Sequence, residues 1–226
     1  MTRPDRPTQH ALFDAAATAP DHHGHLELEP GAVVLQAFAF DAAPALLASV
    51  ERIARDAPWR HMTTARGWRM SVAMTNCGDA GWLSDSSGYR YDAIDPQTNR
   101  HWPALPGAFA DLAGRAAREA GFGHFVPDAC LINRYEPGAR LSLHQDRNER
   151  DFNQPIVSVS LGAPAMFLWG GRTRSERPRR LLLEHGDVVV WGGPARLNFH
   201  GIEELRTHSH ELTGHTRFNL TLRCAR

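Results

Sequence analysis

The chain has 226 residues, 42% of them hydrophobic and 22% charged, which is ordinary globular usage and excludes wholesale disorder. Its 25 Lys+Arg balance its 25 Asp+Glu, which excludes a generally basic nucleic-acid coat but leaves room for a local basic patch. Every basic residue is Arg, so a Schiff-base lysine and a phosphate-loop lysine are excluded as well.

Residues 1–28 are polar and aperiodic and read as a mobile tail. His22, His23 and His25 lack an acidic or Cys partner there and read as solvated. Met1–Pro20 has no apolar core segment, unlike a signal peptide. The most apolar stretch, Gly31–Val50, is interrupted by Gln36, Asp41 and Pro44, too often for a membrane helix. Cys77, Cys130 and Cys224 are scattered and read as idle thiols of a reducing compartment. A soluble, cytoplasmic protein, monomeric and without a membrane partner, is expected.

Ala32–Phe40 reads as a strand. Pro44–Arg55 reads as a helix, with Asp41 as cap, Pro44 in the first turn, and Leu46, Leu47, Val50 and Ile53 at helical spacing. Thr63–Trp102 carries Trp68, Trp82, Tyr89, Tyr91 and Trp102 among Gly, Ser, Asn and Asp. These aromatics either fill a core or cover a binding site. Phe109–Ala120 reads as a second helix, stopped by Gly121.

From Cys130 onward the pattern is β. Cys130–Tyr135, Arg140–Asp146, Ile156–Leu161, Ala165–Trp169, Arg180–Leu183, Val188–Trp191 and Arg217–Arg223 are short runs bounded by turn residues. The expected class is α+β, mainly β, with a sandwich or jelly roll.

His144-Gln-Asp146 closes one of these strands, and alternation puts the imidazole and carboxylate on one face, able to reach one metal. His185-Gly-Asp187 has the same spacing, but Gly-Asp between two strands is turn chemistry. His200 would complete a two-His, one-carboxylate facial triad, the set of non-haem Fe(II) oxygenases; alone it is equally a satisfied interior histidine. In Arg217–Arg223 the polar residues share one face. Its two arginines either hold a small dicarboxylate or lie in water on an edge strand. They stand six positions apart, about 20 Å along an ideal strand, which strains the first alternative. Asn133 and Tyr135 share a face of their own strand and offer hydrogen bonds to a carboxylate.

These segments, with Leu183–Gly193, Arg196–Gly201, Met70–Gly78 and Ile94–Asn99, together resemble the AlkB family of Fe(II)- and 2-oxoglutarate-dependent dioxygenases, which repair alkylated nucleobases. The resemblance spans about residues 30–224. It implies a double-stranded β-helix (a jelly roll) with supporting N-terminal helices, in one domain over 29–226. A nucleotide-recognition lid would occupy about 63–102 and the jelly-roll core about 128–226. It further implies His144, Asp146 and His200 as iron ligands, with 2-oxoglutarate and O2 as cosubstrates. Arg217 and Arg223 would hold the 2-oxoglutarate carboxylates, helped by Asn133, Tyr135 and Asn219. Trp82 and His144 would sandwich the damaged base, with Tyr89, Tyr91 and Arg174 near the substrate strand. Asn148 stands where the family carries an aspartate. The implied reaction is oxidative demethylation of bases such as 1-methyladenine and 3-methylcytosine in single- or double-stranded DNA, or in RNA, releasing formaldehyde and succinate.

Arg172–Arg180 holds five arginines against Glu176 alone and suits phosphates, or is a solvated hairpin loop. Two alternatives remain open. One is a 2-oxoglutarate-dependent hydroxylase of a protein or small molecule; the other is a β-barrel module that reads damaged nucleic acid without chemistry.

Overall fold

The structure is a computed structural model that describes residues 24–226. His22 and His23 lie outside the described residues. His25 does not belong to a tail: His25–Glu29 forms β1, paired antiparallel with β2 (Ala32–Leu35). The strand expected to run on to Phe40 stops at Leu35. There the backbone turns through a left-handed Ala37 (φ 53°), whose N–H donates to the Asp187 carboxylate at 2.9 Å.

Helix α1 covers Ala43–Asp56, with Pro44 in its first turn as expected. Asp41 does not cap it. Ala42 holds the cap position, and the turn carbonyl of Phe40 accepts from Ala43 N–H instead. Next come β3 (Ala73–Gly78), the hairpin β4 (Gly81–Asp85) and β5 (Gly88–Asp92), and the short pair β6 (Ile94–Asp95) and β7 (Arg100–His101). Helix α2 is Gly107–Glu119, followed by a left-handed Gly121 (φ 81°).

The remaining strands are β8 (Ala129–Tyr135), β9 (Leu141–His144), β10 (Ile156–Gly162), β11 (Ala165–Trp169), β12 (Arg179–Leu183), β13 (Val188–Trp191), β14 (His200–Ile202) and β15 (Arg217–Arg223). Strand β14 has no counterpart among the sequence expectations; three residues are too few to show a period.

Two sheets face each other: a seven-stranded one in the order β1-β2-β13-β10-β15-β8-β3, and a four-stranded one in the order β12-β11-β14-β9. Alternation along the large sheet divides its residues between two cores. Val157, Val159, Ile132, Leu220 and Leu222 pack against Leu46, Val50 and Ile53 of α1 and Phe109 and Leu112 of α2. On the other face Val189, Trp191, Leu131 and Tyr135 meet Phe167, Trp169 and Ile202 of the small sheet. This second face also carries Asn133, Ser158, Arg217, Asn219 and Thr221, and a sheet of pure packing function would not bury so many polar groups there. They line a cavity of about 880 Å³ between the sheets. No helix among the described residues is long and apolar enough to cross a membrane.

Candidate active site

The three metal-ligand candidates come together. Their ligating atoms all lie within 4.8 Å of one another. His144 and His200 are direct cross-strand partners of β9 and β14. Asp146 is not on the strand expected to carry it, because β9 ends at His144. The segment beyond is held by side chains instead of a ladder. Arg196 Nη1 donates to the Asp146 carbonyl at 2.7 Å, and Gln145 Nε2 donates to the Leu197 carbonyl. The carboxylate still faces both rings, with Oδ1 at 3.9 Å from His144 Nε2 and Oδ2 at 3.6 Å from His200 Nε2.

Each imidazole Nδ1 meets a backbone carbonyl, Ser142 at 2.9 Å for His144 and Asn198 at 3.0 Å for His200. A carbonyl only accepts, so Nδ1 carries the proton and the Nε2 lone pair points inward, the arrangement that orients a metal-binding histidine. Burial, then the neighbouring His200, pull His144 down to about 4. Burial alone would push the Asp146 carboxyl up, but the Arg223 guanidinium beside it outweighs burial and holds it well below the usual range. His144 and Asp146 therefore stand in the protonation states a divalent cation requires, and the donor set of two nitrogens and one oxygen fits Fe(II).

At the floor of the cavity the two arginines of β15 differ. Arg223 Nη2 donates to Asp146 Oδ2 at 2.7 Å, and its Nε lies 3.5 Å from Glu149 Oε1. Among the described residues Arg217 meets no carboxylate. It donates to Ser160 Oγ at 3.0 Å and lies over the Tyr135 ring at 5.0 Å, with Nε and Nη1 unpartnered. Burial pulls its pKa below the ordinary guanidinium value, the sign of a buried cation without a counter-charge. Asn133 donates to Asn219 Oδ1 at 3.1 Å and leaves its own Oδ1 unpartnered. Burial pushes the Tyr135 phenol up to about 12, against the pull of Arg217, so it stays a neutral donor. Unsatisfied buried donors at one end of a cavity call for a carboxylate.

At the mouth, Trp82 and Tyr89 stack across the β4–β5 hairpin, ring centroids 5.7 Å apart. Trp82 is held from both sides: its backbone exchanges hydrogen bonds with the Asn76 side chain, and its indole N–H donates to Asn148 Oδ1 at 3.2 Å. A Cβ at Gly81 would stand 2.3 Å from the buried Trp102 ring, so only glycine lets this hairpin sit down on the fold. Tyr91, opposite Trp82 in the hairpin, does not line the cavity; it donates to Glu149 Oε1 at 2.6 Å and its hydroxyl lies 3.4 Å from Arg223 Nη1. Within 63–102, then, Trp68, Trp82 and Tyr89 line the cavity, Tyr91 and Trp102 pack inward, and β3 is an edge strand of the large sheet.

Arg174 lines the cavity and donates to the Leu143 carbonyl at 2.7 Å. Of its neighbours, Arg180 pairs with Glu203, and Arg179 and Arg172 donate to carbonyls of Leu28 and Pro194, so the basic run is partly engaged. Asp187 accepts from Ala37 and Glu184 N–H groups, the turn role expected of it. Sequence reasoning missed Arg196, whose buried guanidinium ties Asp146, Gln154 and Glu149 into one loop. It also missed Asn76. Neither has a spacing signal, since their partners lie in other elements.

The model of the 2OG-Fe(II) oxygenase superfamily matches residues 31–223. The chain is 57% identical over 198 residues to the alpha-ketoglutarate-dependent dioxygenase AlkB of Escherichia coli (strain K12), covering 88% of this chain and 92% of that one. It is 46% identical over 197 residues to the AlkB homologue of Caulobacter vibrioides (strain NA1000 / CB15N), covering 83% and 88%. The solved structure of OsALKBH1 superposes with a TM-score of 0.80 at 25% identity, over 88% of this chain and 99% of that one. The jelly roll, the facial triad and these matches agree: the chain belongs to the 2OG-Fe(II) oxygenase superfamily, dioxygenases that use Fe(II), 2-oxoglutarate and O2.

Proposed function

We propose that this protein oxidatively removes N-alkyl groups from bases of the 1-methyladenine and 3-methylcytosine type in DNA, and in RNA as a second substrate, releasing formaldehyde and succinate. The observation that carries the reading is a single cavity with a metal triad in its wall, an unneutralised Arg217 at its floor and an aromatic pair at its mouth. His144, Asp146 and His200 would hold Fe(II), which supplies the oxidising chemistry when it is bound with 2-oxoglutarate and O2.

The chain's own groups bind, orient and exclude water. Arg217 and Tyr135 donate to one carboxylate of 2-oxoglutarate, with the Asn133–Asn219 pair fixing the floor beside them. Arg223 serves the other end and at the same time keeps Asp146 ionised. Both arginines line the one cavity although they stand six positions apart, because the Arg223 side chain reaches to Asp146. The target base cannot be reached inside a duplex, so it must be flipped out or already unpaired. Trp82 then stacks on it, with the His144 ring on its other side, and Tyr89 and Arg174 contact the neighbouring strand. Asn148, tied to the Trp82 edge, offers its amide to an exocyclic group. Tyr91, whose hydroxyl donates to Glu149, steadies the loop beside the substrate strand.

The test is mass spectrometry of oligonucleotides carrying 1-methyladenine, 3-methylcytosine or 1-methylguanine, with succinate measured in parallel. Loss of 14 mass units from the lesion, matched by succinate, is the expected result (~14 Da being one CH2). Succinate formation that no methylated oligonucleotide stimulates would transfer the protein to the hydroxylases of proteins or small molecules.

A further inference from the structure

Glu29, the last residue of β1, makes two hydrogen bonds far across the chain. Its Oε1 accepts from the Trp169 indole N–H at 2.6 Å and from Asn198 Nδ2 at 2.7 Å. Both donors belong to the surroundings of His200. The Asn198 carbonyl is the acceptor that holds His200 Nδ1–H. The Trp169 ring lies stacked toward His200, 29° from parallel at 6.4 Å, and Trp191 closes another side at 4.8 Å.

A second, independent contact runs the same way. The β1–β2 turn lies against the loop that leads to Asn198: Gly192 N–H donates to the Gly31 carbonyl at 2.9 Å. Gly31 has φ +87°, and a Cβ there would stand 2.5 Å from the Gly192 carbonyl oxygen. Neither the contact nor the turn tolerates a side chain.

We infer that the N-terminal hairpin is a buttress for the metal centre, with Glu29 as a positioning residue that fixes the His200 ring through Asn198 and Trp169. This rests on the reading of His200 as an iron ligand. The Glu29 carboxylate is a rigid acceptor shared by two donors from separate elements, the β11 strand and the loop before β14. It therefore fixes their spacing as well as their positions. Asn198 is the residue whose peptide carbonyl sets the imidazole direction, so a shift of its side chain is passed to Nε2. Outer partners of metal-binding histidines commonly govern affinity by about 10–100-fold. Here the partner of the partner is supplied from 169 residues away in the chain.

The test compares the whole protein with its Glu29→Ala, Glu29→Gln and Asn198→Ala variants. Co(II) is the probe, titrated without cosubstrate and followed by its visible absorption bands. Glu29→Ala and Asn198→Ala should weaken Co(II) binding about tenfold and alter the bands. Glu29→Gln should stay near the unaltered protein, because its amide oxygen still accepts both N–H groups. In the metal-free protein, the His200 Nδ1–H resonance should be protected from exchange, lost in Glu29→Ala and retained in Glu29→Gln. A packing role alone would lower the melting temperature and leave Co(II) affinity untouched in the folded variants.

Equal Co(II) affinity in folded Glu29→Ala, with the His200 resonance retained, overturns the buttress. Should Glu29→Ala not fold, Asn198→Ala decides the same point without altering β1. Failure of the unaltered protein to bind Co(II) would instead sink the iron-site reading, and the buttress with it.

Discussion

At the floor of the cavity Arg217 lies 1% exposed with two N–H positions unpartnered, whereas at the mouth Trp82 has every polar group engaged and rests on Tyr89. A buried cation without a partner is among the costlier features a fold can carry. The floor is therefore incomplete without an anion, and binding there relieves a cost already present in the free protein. The mouth is complete by itself, and a base that binds there adds stacking to a finished surface. Cosubstrate and substrate should accordingly respond to different mutations, and to different degrees.

The largest effect belongs to the wall the two regions share. Asp146→Ala should abolish succinate formation and Co(II) binding together, measured by turnover and titration. Full turnover by this variant would remove the triad. On the floor, Arg217→Met should raise the KM for 2-oxoglutarate by ~30-fold or more, the equivalent of ~2 kcal/mol at the low end for truncating a buried ionic partner. Its melting temperature should not fall, since an unpaired charge has been removed. Arg223→Met should do the reverse, lowering both melting temperature and metal affinity, because Asp146 and Glu149 then lose a shared cation. Identical profiles for the two variants would erase the distinction between the ends of β15.

Behind the mouth, where Tyr91 donates to Glu149, Tyr91→Phe should lower stability in urea by ~1.5–3 kcal/mol, the range for a hydrogen bond to a charged group. Tyr89→Ala should leave stability unchanged and weaken oligonucleotide binding by ~1–3 kcal/mol. The smallest effect is expected of Asn148→Asp. The carboxylate keeps the acceptor for Trp82 and adds a charge at an exposed site, so it should favour cationic 1-methyladenine over neutral 1-methylguanine by ~1 kcal/mol or less, about fivefold in kcat/KM. An unchanged ratio would take Asn148 out of base recognition. Glu149 cannot replace it, since its carboxylate is already engaged by Tyr91 and Arg196.

The β-rich half of the chain was legible because its strands are short runs bounded by turn residues. Ala165–Trp169, Val188–Trp191 and Arg217–Arg223 fall where those boundaries place them. The same rule misled at His144–Asp146, where the strand stops and the loop is carried by Arg196. It misled again at Ala32–Phe40, where a tight turn held by Asp187 looks in sequence like more strand. The aromatic stretch divided in a way that composition does not reveal. Tyr89 and Tyr91 sit two apart, both polar aromatics on one strand, yet one lines the cavity and the other is half-buried with its hydroxyl on Glu149.

Residue type and spacing along the chain placed the two helices and most strands from Cys130 onward and picked out His144, Asp146 and His200 as metal-ligand candidates, because period, turn chemistry and ligand type are local properties; the chemical class came from the resemblance of whole segments to the AlkB family. Tertiary structure alone decided which charges were left unpaired. Arg217 and Arg223 are the same residue on the same face of one strand. The difference between them arises because Asp146 and Glu149, brought in by a loop more than seventy residues earlier, reach only one end. Glu29 is the same lesson at longer range: a carboxylate just past the segment that reads as a tail becomes a structural acceptor only once two distant donors are folded onto it. Burial and pairing are set by what arrives from elsewhere in the chain, and no window of sequence contains that.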